Sequence, residues 1–125
     1  MAASSNRRTK LAEEVVNRTI GSLPEELRKS AQTVPVTYCR WPSAELVIDG
    51  IADDTLGLFV GCEWVDHTDG NNPNPPAILL FLENIWDATE RDESDYQEEV
   101  RITYLHELGH YLGLDEDDLE ERGLG

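Results

Sequence analysis

Residues 106–110 read His106-Glu107-Leu108-Gly109-His110. Side chains four apart lie on one face of an α-helix, so two imidazoles at this spacing can grip one metal ion while the glutamate between them reaches a water held there. Gly113 stands where such a helix can end, because glycine accepts the left-handed conformation of a C-cap, and Glu116 follows three residues later. A catalytic zinc takes three protein ligands and keeps a fourth position for water, and two histidines with a carboxylate form one such set. The stretch 106–116 therefore spells a complete candidate zinc centre. Its expected ligands are His106, His110 and Glu116, with Glu107 as the general base of a hydrolase. Asp115, Asp117 and Asp118 are neighbouring carboxylates that zinc accepts equally, so the choice among them stays open.

The competing interpretation is a polar helix that happens to carry two histidines. The chain has only 3 histidines, two of them at this spacing. Tyr96, Val100, Tyr104 and Leu108 form an apolar stripe at helical period, extended by Tyr111 and Leu112, and His106 and His110 lie away from it beside Thr103. Core packing therefore does not explain them. The third histidine, His67, could reach the metal as a ligand delivered from a loop, but a histidine in a stretch rich in Asn, Pro and Gly reads rather as a solvated surface residue. The acidic run 115–121 lacks the alternating oxygen ligands and turn glycine of a calcium loop.

A helix bearing this motif needs a scaffold. Leu11, Val15, Val16 and Ile20 recur with helical period, which predicts a first helix over residues 9–21. Ser22 and Glu25 form an S-x-x-E capping box, with Pro24 in the first turn, and predict a short second helix to about Ala31. Strands are expected over 34–39, 56–61 and 77–82, the last apolar on both faces and hence central. Residues 44–48 are compatible with a strand or a helical turn, 66–76 form a loop, and 83–93 connect without a clear signal. Ser94 and Gln97 predict the start of the motif helix, which ends near Leu112. A final turn follows to about Arg122.

At 125 residues the chain suits one domain, taken as 9–125, preceded by a leader over 1–8 expected to be disordered. The N-terminus from Met1 to Lys10 has Arg7, Arg8 and Lys10 but no apolar segment behind them, so the expected compartment is the cytoplasm. With 10 basic and 26 acidic residues the net charge is −16, which disfavours nucleic acid and anionic membranes as partners. It favours a basic or neutral peptide, although solubility alone accounts for such a charge. Cys39 and Cys62 form no C-x-x-C pair and are expected to be reduced. A monomer is expected.

The motif, its glycine and its carboxylate, together with Leu23-Pro24, Val34-Pro35-Val36, the block from Leu56 to Gly61 and the block from Pro76 to Phe81, resemble the bacterial zincin-like metallopeptidase family that has the minimal zincin fold. The likeness runs from about Leu11 to Gly123, and its specific part is the segment 106–114. The resemblance implies an α+β fold in which a small mixed sheet of about three strands is packed with helices and the H-E-x-x-H helix lies near the C-terminus. It also implies one zinc ion in a shallow cleft. Family members usually have an aspartate where this chain has Glu116. The only methionine is Met1, so the methionine turn of the metzincins is missing.

The expected chemistry is peptide-bond hydrolysis by water activated between zinc and Glu107, with an extended peptide adding to an exposed strand edge. Tyr111 and Tyr104 are candidates for a second electrophile, but their place in the apolar stripe favours core packing. A non-catalytic, zinc-stabilised module that binds a peptide or protein is the alternative function. The retained Glu107 separates the two, since a structural zinc site has no use for a base.

Overall fold

The computed structural model describes residues 2–61, 76–114 and 118. Its elements are α1 (Ala2–Ser22), α2 (Glu25–Ala31), β1 (Val36–Cys39), α3 (Ala44–Ile48), β2 (Gly57–Val60), β3 (Ala77–Phe81), α4 (Leu82–Ala88) and α5 (Glu93–Leu112). The three described strands form one mixed sheet in the order β1-β3-β2, with β1 parallel and β2 antiparallel to β3. This is the expected α+β architecture. No described helix is long and apolar enough to cross a membrane.

β3 is central, as its composition suggested, but its two faces are not equal. Ile78 and Leu80 are fully buried against the helices, whereas Ala77 and Leu79, which alternate with them, are only partly covered. The alternation of a pleated strand turns one face to the core and the other outward. The core itself joins Ala12, Val15 and Val16 of α1 to Ile85 of α4 and to Tyr96, Val100, Tyr104, Leu108 and Tyr111 of α5. The apolar stripe of α5 is thus the surface on which the sheet and α1 rest.

Several boundaries differ from the sequence expectation. The segment expected as a leader is helical from Ala2 onward. Arg8 explains why helix extends so far: its guanidinium bonds Glu83 of α4 at 2.6 Å, lies 5.3 Å from the Trp86 ring centroid, and its carbonyl accepts from the Tyr96 hydroxyl at 2.9 Å. Arg7 adds a more exposed pair with Glu93. The Ser22 capping box does not form. Ser22 ends α1 and donates to the Thr19 carbonyl, while Pro24 precedes α2 with no side-chain cap. Ser94 is likewise replaced as N-cap by Asp92, whose carboxylate accepts from Asp95 N–H at 2.9 Å.

Residues 44–48 resolve as the helical turn, capped by Ser43. The segment after β3 is a helix, α4, and its Asn84 side chain donates to the carbonyls of Asp53 and Thr55, tying down the approach to β2. Between α4 and α5 the chain reverses through Glu90 and Arg91, both at positive φ. The expected loop up to residue 75 and the final turn after Leu114, apart from Asp118, lie outside the described residues.

Candidate metal centre

α5 runs for 20 residues and ends on Gly113, which adopts φ 73° and ψ 26°. Leu114 N–H donates to Gly109 C=O at 2.8 Å and Gly113 N–H to His110 C=O at 3.2 Å, the paired bonds of a Schellman motif. The helix therefore closes two residues after the second histidine.

His106 and His110 both face solvent, with ring centroids 4.6 Å apart, one helical turn separating them. Glu107 lies on the same turn and is only 6% exposed. The nitrogen and oxygen donors of His106, Glu107 and His110 all lie within 4.8 Å of one another, and they are the group of potential metal ligands among the described residues. Two imidazoles one helical turn apart are donors zinc accepts, and the exposure of both rings leaves an ion a path to them, so the residues present fit the metal. Asp118 is helical and half-buried and does not join this group. Glu116, Asp115, Asp117 and His67 lie outside the described residues.

A buried carboxylate has to be satisfied by hydrogen bonds or a counter-charge. Glu107 Oε1 accepts the main-chain N–H of Phe59 on β2 at 3.0 Å and lies 3.2 Å from His110 Nδ1. α5 packs directly against β2, and Gly57 makes that approach possible. A Cβ placed on Gly57 would lie 2.5 Å from Thr103 Cγ2 and 3.4 Å from Glu107 Cγ. Neither Phe59 nor Gly57 was singled out from the sequence as a site residue. Gly57 carried a usable signal, since a glycine at the head of an apolar strand marks a close approach of another element.

The two tyrosines considered as electrophiles belong to the core. Tyr111 is fully buried, its hydroxyl 2.7 Å from Thr33 Oγ1, and its ring meets that of Phe59 at a centroid distance of 5.6 Å. Tyr104 is also fully buried, and its hydroxyl has no hydrogen-bond partner among the described residues. Burial pushes its ionisation well above the usual phenol range, with the nearby Tyr38 adding to the shift. Further up the helix, a hydrogen bond from Arg101 holds the Glu98 carboxyl below the usual range.

A mixed three-stranded sheet behind a helix that presents His106, Glu107 and His110 fits an H-E-x-x-H-type site on a small α+β scaffold. The zincin-like metallopeptidase family matches residues 31–125, and the chain belongs to that family. No curated protein matches it in sequence.

Proposed function

We propose that the protein is a zinc-dependent peptidase. The observation that carries this reading is the position of Glu107: a buried carboxylate, fixed by a main-chain donor, directly behind two solvent-facing imidazoles. A structural metal site gains nothing from such a group, whereas a hydrolytic one requires it.

In this reading His106 and His110 hold the ion, with Glu116 as third ligand. Zinc so bound supplies a Lewis acid and a water acidified to a pKa of about 7. Glu107 Oε1 is engaged by Phe59 N–H, so Oε2 takes the proton from the attacking water and passes it to the leaving amine. The substrate is an extended peptide laid along the outer edge of β2. Its N–H groups would bond the carbonyls of Gly57 and Phe59, since the Phe59 N–H already serves Glu107. The net charge of −16 supports a neutral or basic peptide over nucleic acid or an anionic membrane. We take the protein to be a monomer in a reducing, cytoplasmic setting, and Cys39 has no disulfide partner among the described residues.

Elemental analysis of the purified protein tests the metal, with one zinc per chain expected, lost in His110→Ala and weakened in Glu116→Ala. Glu107→Gln then separates hydrolase from binding module. A hydrolase keeps its zinc and loses cleavage of labelled casein; a zinc-stabilised binding module loses nothing.

A further inference from the structure

We propose that the main-chain amide of Phe59 is the positioning group for Glu107, and that Gly57, having no side chain, lets α5 come close enough for the bond to form. The inference rests on the hydrolytic reading above and deepens it.

The sheet register determines where the amide points. Gly57 faces Leu80 and Phe59 faces Ile78, which places Leu56 opposite Phe81, and Phe81 N–H donates to Leu56 C=O at 2.9 Å. In an antiparallel pair, hydrogen-bonded and non-bonded residue pairs alternate. The main-chain groups of Gly57 and Phe59 are therefore turned away from β3, toward an edge that no described strand covers. An outward N–H on such an edge would ordinarily be left to solvent. Here it is aimed at Glu107 Oε1, 3.0 Å away.

Two side contacts hold strand and helix in this relation. The Phe59 ring lies against Tyr111, one turn beyond Glu107, and the Tyr111 hydroxyl is anchored at Thr33. Two residues before Phe59, Gly57 fits under Thr103, one turn ahead of Glu107. The amide thus meets the carboxylate between two packed points on the same helix. A carboxylate on a flexible side chain gains direction from a charge-assisted bond to rigid backbone, and holding a proton acceptor at its working position is worth rate rather than binding.

Amide hydrogen exchange, read by NMR on the zinc-loaded full chain, tests the bond. The Phe59 amide is expected to exchange about tenfold or more faster in Glu107→Ala than in the unaltered protein. Glu107→Gln should retain most of the protection, because its side-chain oxygen still accepts. The Leu58 amide, turned toward β3, should stay unchanged in both and reports that the sheet is intact. An unchanged Phe59 rate in Glu107→Ala overturns the proposal.

A backbone ester in place of the Phe59 amide removes that one donor and keeps the ring. With fluorescently labelled casein as probe, kcat should fall about tenfold or more while KM and zinc content hold. Unchanged kcat overturns the proposal. If the unaltered protein turns over no casein while Phe59 exchange still responds to Glu107→Ala, the hydrolytic reading fails and the positioning of Glu107 by Phe59 stands.

Discussion

The hydroxyls of Tyr111 and Thr33 lie 2.7 Å apart, joining the last turn of the metal-site helix to the segment that leads into β1. Tyr104, two residues before the motif on the same helix, is as deeply buried but its hydroxyl finds no partner among the described residues. Removing the two hydroxyls should have opposite effects. Tyr111→Phe is expected to cost about 1 kcal/mol, while Tyr104→Phe should be neutral or stabilising, since it removes a polar group that burial leaves unsatisfied. Urea denaturation midpoints of the two variants decide this.

Glycines at two positions make a second contrast. Gly57→Ala places a methyl against Thr103 Cγ2 and should destabilise by about 1–3 kcal/mol, as overpacking does elsewhere. It should also lower activity, because the helix must move away from Phe59. Gly21 lies near the end of α1 with nothing within 4 Å of an added Cβ. Gly21→Ala should therefore stabilise by about 0.5–1 kcal/mol through helix propensity alone. Thermal melts of both variants are sufficient.

The raised ionisation of buried tyrosines should weaken the fold as pH climbs through the alkaline range. Burial, with the negative charge of Glu13 adding to it, pushes Tyr38 up to about 12, and burial also raises Tyr96 and Tyr104. Between the ordinary phenol pKa of about 10 and the raised folded values, the unfolded chain releases protons that the folded chain retains. The unfolded state then binds fewer protons, so stability falls as pH rises. The tyrosine contribution is fully present below about pH 10 and is lost through the folded pKa values. Tyr38→Phe should flatten that decline, as measured by unfolding free energy at successive pH values.

Metal loading should raise thermal stability. An ion that binds only the folded chain stabilises by about 2.7 kcal/mol at a hundredfold excess over its Kd. The melting temperature is expected to rise with added zinc, to fall back with a chelator, and to lose this response in His110→Ala.

The centre of the site was legible because its logic is local. His106, Glu107 and His110 lie within one helical turn and a half, so spacing alone places them, and Gly113 announces the stop. The central strand was legible from the unbroken apolar run that begins at Ala77. α4 was not, since Leu82, Ile85 and Trp86 continue that run with no capping residue, and Phe81 stands at the N-cap without a side-chain bond. Ser94 and Asp92 are both good caps, and the chain chose the one that starts α5 earlier. Helix from Ala2 depends on Arg8 meeting Glu83 and Trp86, partners too distant in sequence to be seen by periodicity.

The bond between Phe59 and Glu107 uses nothing that residue type 59 specifies, and every amino acid except proline brings the same donor. Drift at that position can exchange the ring for another side chain that fills the same space against Tyr111 and leave the hold on Glu107 in place. Selection would then act there on volume against Tyr111 and on the exclusion of proline, while the functional debt to the backbone leaves no mark in the identity of the residue.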